Sequence, residues 1–264
     1  MKQFVMMSGL PRSGSSVLCS ILNQHPDIHA STTSPVIELI EIVHANWKHL
    51  SSCYINSNPS QYTNMIHGLC LGAYEHINES LIIDKNRLWP KHGKLMNSVL
   101  GHKPKMIITV RDIPEILASY ILLINKNFNN TTFIDQDLID NNIIVNNKNR
   151  CKLLWETYIN VPYNNTRVGF NSPDIDVCIV TYNQIVNNSQ ETVDRICKFL
   201  NIDTYSVDLN NIQGMNENDD YHGGIIGLHE VRPIMKRTSP PPSEVIGHEL
   251  VKHYTNMKLD FWNK

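Results

Sequence analysis

The stretch from Phe4 to Leu22, FVMMSGLPRSGSSVLCSIL, constrains this chain more than any other. Phe4 to Met7 predict a short buried strand, and Ser8 to Gly14 a tight loop. Ser15 onward predicts a helix whose apolar residues Val17, Leu18, Ile21 and Leu22 share one face. A strand that feeds a helix through a glycine-bearing loop creates a place for an anion. The first N–H groups of the helix lack internal partners, and the aligned peptide dipoles add about half a positive charge there.

The spacing of Gly9 and Gly14 is that of a Walker A loop, but Ser15 and Ser16 stand where that motif carries its phosphate-binding lysine. The cation lies inside the loop instead, at Arg12. A guanidinium offers a planar fork where an ammonium is a point charge, so the substitution points to a ligand shaped differently from a magnesium-bound triphosphate. The alternative is a glycine-bearing strand-to-helix turn that holds no ligand.

Strands and helices alternate beyond this unit. Leu81–Asp84, Lys105–Val110 and Val177–Thr181 predict buried strands. Helices are expected over 35–49, 60–78, 90–100, 113–125, 150–161 and 189–200, with a last one from about Ser243. This order predicts a three-layer α/β fold with a central parallel sheet, P-loop nucleotide-binding-like, in which ligands sit at the carboxyl ends of strands. The length of 264 residues suits one domain spanning 1–264. The Asn-rich segment 127–149 lacks sustained periodicity and is expected to be an inserted loop outside the core; 205–264 reads as an irregular C-terminal segment.

Composition narrows the partners. Against 23 Lys+Arg stand 25 Asp+Glu, a formal net charge of -2, which argues against a general nucleic-acid or membrane-surface binder and requires any polyanion site to be local. The six cysteines include no C-x-x-C pair, so reduced core thiols in a reducing, cytoplasmic setting are expected. No apolar run approaches the roughly 18 residues of a membrane span, and the first strand follows Met1 too closely for a signal peptide. No metal site is expected: His248 and His253 are spaced five apart and cannot share a helix face.

A second anion site is expected at Val110-Arg-Asp-Ile-Pro-Glu-Ile-Leu-Ala-Ser119, where Arg111 leaves a strand end and Ser119 lies on the following helix. One ligand with two separated anionic groups would satisfy both loops. An ion pair between Arg111 and Asp112 or another carboxylate is the structural alternative.

These motifs resemble those of sulfotransferases that use 3′-phosphoadenosine 5′-phosphosulfate (PAPS), closer to the tyrosylprotein and bacterial branch than to the cytosolic steroid and phenol branch. Pro11 to Ser16 is similar to the family's 5′-phosphosulfate loop, and Arg111 with Ser119 to its 3′-phosphate site. Asp84-Lys85-Asn86 resembles the strand-end lysine, and Thr181 to Ser189 with Lys198 to Ile202 extends the likeness over most of the chain. The resemblance implies that Pro11, Arg12, Ser13, Gly14, Ser15, Ser16, Arg111, Ser119 and Tyr182 bind the donor. It implies that Arg12 and Lys85 face charge developing on the transferred group, and that no metal is required. Arg237 and Thr238, with Lys236 and Ser239, resemble a late segment that approaches the cofactor.

The resemblance breaks at the general base, because Thr33 occupies the place of the catalytic Glu of the tyrosylprotein branch. Glu38 is the first replacement candidate, with Glu41, His44, His229 and Glu230 as others. The reading is thus a PAPS-dependent O-sulfotransferase acting on a tyrosine, sugar or small-alcohol hydroxyl, with product 3′,5′-adenosine bisphosphate (PAP). Alternatives are a P-loop small-molecule kinase using ATP and a catalytically inactive nucleotide-binding module.

Overall fold

A computed structural model describes residues 2–55, 58–127, 131–214, 225–235 and 239–263. The first part runs β1 (Gln3–Gly9), α1 (Ser15–Leu22), β2 (Ile28–Ala30), α2 (Val36–Asn46), α3 (Ser51–Ile55), α4 (Pro59–Gly72) and β3 (Leu81–Lys85). It continues with α5 (Gly93–Leu100), β4 (Lys105–Val110), α6 (Ile113–Lys126), α7 (Phe133–Asp140), α8 (Asn147–Leu153), α9 (Asn160–Phe170) and β5 (Asp176–Thr181). The chain ends with α10 (Tyr182–Asn187), α11 (Ser189–Leu200), α12 (Pro242–Ile246) and α13 (His248–Asn256).

The five strands form one parallel sheet in the order β2-β3-β1-β4-β5. Alternation along each strand splits its side chains between two cores. Phe4 and Met6 of β1, Ile82 of β3 and Met106 and Ile108 of β4 face α2, α4, α5 and α6. Val5, Met7, Ile83 and Ile107 face α1 and α11. The central strands are therefore apolar on both faces, which is why they read as continuous hydrophobic runs.

β1 and β4 are neighbours, yet β1 leads to α1 on one face and β4 to α6 on the other. Their loops diverge and leave a crevice at the carboxyl edge, the topological switch point of a doubly wound sheet. The two strands approach closely there: a Cβ on Gly9 would lie 2.1 Å from Thr109 Oγ1 and 2.4 Å from the Thr109 carbonyl oxygen. The sheet's other side ends in β2, whose Ala30 N–H donates to Asn23 Oδ1 (2.6 Å) and whose Ala30 carbonyl accepts from Asn23 Nδ2 (2.9 Å).

Segment 127–149 departs from expectation, because α7 lies within it and packs inward. Ile134 and Leu138 are buried one turn apart, Thr132 Oγ1 caps the helix by accepting from the Asp135 N–H (3.3 Å), and Arg150 clamps Asp135 at 2.7 and 2.9 Å. Phe133, Ile134, Leu138 and Ile139 are its apolar residues, and a stretch of 8 residues is too short to establish a helical period amid polar neighbours. The helix expected at 150–161 also continues, through a π-helical turn at Leu154–Ile159, to Phe170. Pro162 falls in the first turn of α9, where a missing N–H costs least. The terminal helix is broken in two at Gly247, whose φ is 86°. Residues 223 and 224 and the basic segment 236–238, including Arg237 and Thr238, lie outside the described residues.

Candidate active site

The loop after β1 is shaped by two left-handed residues, Arg12 at φ 58° and Gly14 at φ 87°. Gly14 is required for space as well as conformation, since a Cβ there would come 3.1 Å from Tyr182 Cδ2 and 3.2 Å from Ile185 Cδ1. Gly14 also precedes α1, and its carbonyl accepts the N–H of Leu18 at 2.9 Å. The N–H groups of Ser15, Ser16 and Val17 belong to the turn without intrahelical acceptors, and all three residues line a cavity of about 510 Å³.

Arg12 and Arg111 are locked together over this cavity. Arg12 Nε donates to Ser119 Oγ at 3.2 Å, and its Nη1 donates to the Leu228 carbonyl. Burial is the main cause lowering the Arg12 pKa, and a guanidinium still keeps its charge in a protein. Arg111 is buried; its Nη1 donates to the Arg12 carbonyl (3.0 Å), its Nε to Glu115 Oε2 (3.0 Å), and its guanidinium stacks 3.8 Å above the Tyr182 ring. The ion pair left open for Arg111 is thus made with Glu115, one turn along α6, and not with Asp112.

Lys85 is the last residue of β3, buried, and lines the same cavity. Beside it, Asn86 Nδ2 donates to Glu38 Oε1 (2.9 Å) and to the Ser34 carbonyl (2.7 Å), which ties Glu38 of α2, another lining residue, to the neighbour of Lys85. Asp84 is fully buried on the opposite side of β3. It accepts from Ser34 Oγ and Tyr74 Oη, each at 2.5 Å, and from Trp89 Nε1 at 2.7 Å. Burial nevertheless raises its pKa.

Most of the residues expected at the site converge: Arg12, Gly14, Ser15, Ser16, Glu38, Lys85, Arg111, Ser119 and Tyr182 all line the cavity. Pro11 and Ser13 do not. The Ser13 hydroxyl bonds the Leu10 carbonyl (2.6 Å) and Thr109 Oγ1 (2.7 Å), and its N–H is also directed to Leu10 (3.3 Å), so Ser13 fastens the loop to β4. Of the other base candidates, Glu41 pairs with His92 (2.7 Å) and Lys91 (3.4 Å), and His44 bonds Tyr62; neither lines the cavity, whereas His229, Glu230 and Thr33 do.

Sequence reasoning missed Arg87, Lys126 and Arg232, which also line it. Lys126 was reachable, because Ser119, Leu122, Leu123 and Lys126 follow helical spacing along α6. The described cavity wall therefore carries six cations, Arg12, Lys85, Arg87, Arg111, Lys126 and Arg232, against the carboxylates of Glu38 and Glu230. In a chain of net charge -2 this is a local concentration of positive charge.

The cations thus line a crevice at the switch point of a parallel α/β sheet, the place where folds of this class seat their ligands. The chain matches the sulfotransferase family over residues 5–206 and belongs to that family. Among solved structures it is similar to the sulfotransferase domain from the curacin biosynthetic pathway, with 15% identity, a TM-score of 0.52, and 95% of this chain and 98% of that one covered. A sulfotransferase from Alicyclobacillus acidocaldarius gives 15% identity, a TM-score of 0.48, and coverage of 98% and 94%. No curated protein matches the chain.

Proposed function

We propose that this sulfotransferase takes its sulfuryl group from PAPS and passes it to a hydroxyl. The observation that carries the reading is the joining of two βα loops by Arg12 and Arg111, with Ser119 bonded to Arg12, over a cavity that Lys85 and Glu38 also line. Two anion sites on adjacent strands fit a donor with two separated phosphate groups, and the six-to-two excess of cations fits its charge. The kinase alternative would need an acidic strand end for magnesium. Its candidate, Asp84, is turned away into Ser34, Tyr74 and Trp89.

The N–H groups of Ser15 and Ser16, with their hydroxyls, hold the 5′-phosphate, and Arg111 with Ser119 holds the 3′-phosphate. PAPS supplies a sulfuryl group whose bond to the 5′-phosphate oxygen breaks as the acceptor oxygen bonds to sulfur, the electron pair staying on the phosphate of PAP. Lys85 and Arg12 stabilise the negative charge gathering on the phosphate and sulfuryl oxygens; loss of one such preorganised donor costs about 100 to 1,000-fold in rate. Glu38, oriented by Asn86, accepts the acceptor's proton. The 3′-phosphate and 5′-phosphosulfate assignments extend to Tyr182, which stacks under Arg111 and fixes its plane.

Thermal-shift titration tests the donor. PAP should raise the melting temperature without magnesium, while ATP with magnesium does little; the reverse pattern would overturn the reading in favour of a kinase. The Lys85→Ala variant should keep PAP binding and lose about 100-fold or more in turnover.

A further inference from the structure

A second cavity, of about 760 Å³, lies between α2 and α4 and meets the first at Thr33, which lines both. Its walls follow from helical periodicity. Val36, Leu39 and Val43 form one stripe of α2, and Met65, Gly68, Leu69 and Gly72 the facing stripe of α4. Consecutive residues on a helix point about 100° apart, so α2 presents Glu38 to the first cavity and Leu39 to the second. The groove owes its width to Gly68 and Gly72, where an added Cβ would meet nothing within 4 Å. Leu39 and Met65 stand at its rim 48% and 47% exposed.

Three hydroxyls that line the groove are spent on the protein itself. Ser34 Oγ donates to Asp84 (2.5 Å), Tyr74 Oη does the same (2.5 Å), and Ser31 Oγ accepts the Lys85 N–H (3.1 Å). His29 lays its ring against Tyr74, with centroids 5.7 Å apart. A sugar entering here would leave its hydroxyls facing Val36, Leu39, Val43, Met65 and Leu69, and unpaired buried hydroxyls are costly. A hydrocarbon would lose nothing and would cover the apolar surface that Leu39 and Met65 leave in water.

We infer that the groove binds the apolar body of the acceptor, an alcohol carrying its hydroxyl at one end of a hydrocarbon. The hydroxyl then passes Thr33 to reach Glu38 and Lys85. This inference rests on the donor reading above, since it takes the Glu38 end of the first cavity as the place of transfer.

The test is a calorimetric titration of n-butanol, n-hexanol and n-octanol into the PAP-bound protein. Each added methylene should tighten binding about fourfold until the groove is full. An affinity independent of chain length would overturn the inference. In parallel, Gly68→Leu and Gly72→Leu should each weaken n-octanol binding by about tenfold or more, because the new side chain occupies the groove without displacing anything; unchanged n-octanol affinity in both variants would also overturn it. So would faster sulfation of a tyrosyl peptide or an alkyl-free glucoside than of n-octanol. PAP stabilisation with a flat alcohol series removes the groove alone, whereas absence of PAP stabilisation in the unmodified protein removes the donor reading and with it the acceptor role.

Discussion

Arg111 is held in place by three different interactions, and each restricts a different freedom. The hydrogen bond to the Arg12 carbonyl fixes one edge of the guanidinium, the Glu115 carboxylate fixes Nε, and Tyr182 fixes its plane. A lysine would keep the charge but could neither stack nor reach both oxygens in one geometry. Arg111→Lys is therefore expected to weaken PAP binding by about tenfold to a hundredfold, the value of one charge-assisted hydrogen bond, as measured by calorimetry. A change below twofold would take Arg111 out of the donor site. Asp84 makes a second prediction at this scale. Because burial raises its pKa in the folded state, the folded protein binds more protons than the unfolded chain between the ordinary Asp value and the raised one. Stability from this group is thus highest below the ordinary value, falls as pH rises through that window, and is constant above it. Asparagine can accept from Trp89 and donate to Ser34 and Tyr74 in the same place. In urea unfolding across pH 4 to 8, the stability of Asp84→Asn relative to the parent should rise with pH and then level off; a pH-independent difference would refute this.

The elements that carry the site are tied by close backbone approaches. Gly9 stands against Thr109, and the clash of an added Cβ includes the Thr109 carbonyl, which cannot rotate away. Gly9→Ala should cost about 1–3 kcal/mol by overpacking and, by prising β1 from β4, should weaken PAP binding as well; denaturant unfolding and PAP titration of the same variant check the two effects. The β1–loop–α1 unit and the β4 end were legible in sequence because strong local patterns, a buried apolar strand and a glycine-bearing turn, coincide there. α7 was not, because its apolar residues Phe133, Ile134, Leu138 and Ile139 fall within 8 residues of a polar segment, too few turns to establish a period. The turn at 154–159 was equally hidden, since a π-helical turn shifts the apolar register just where Pro162 already argues for an end. Within the cavity wall, strand-end residues stand out in sequence by position, whereas Lys126 in the last turn of α6 and Glu115 in its first do not, because on a helix charge alone does not separate a ligand contact from a solvated face. The inward turn of the Ser13 hydroxyl was hidden for the converse reason: a serine in a phosphate-type loop can face the sheet, and the Thr109 hydroxyl that holds it lies ninety-six residues away.

At the scale of the whole molecule, six cations gather on one crevice of a chain whose formal net charge is -2. Polyanion binding should therefore depend on salt at that crevice without the protein acquiring a general affinity for nucleic acid. No helix among the described residues is long and apolar enough to cross a membrane. The sheet that supports the crevice has two margins, and the one at β2 is finished in an unusual way. Ala30 directs its N–H and carbonyl away from β3, and the Asn23 amide meets both, giving the backbone what another strand would give it. Asn23→Ala leaves these two groups of a fully buried residue unpaired, at a cost of about 1–3 kcal/mol. It should also make the apparent mass measured by light scattering rise with protein concentration more steeply than the parent's; a variant as stable and as monodisperse as the parent would refute both expectations. A single side-chain amide thus acts as a stopper on the open sheet, denying a foreign segment the place where it could add itself to the ladder and begin an aggregate.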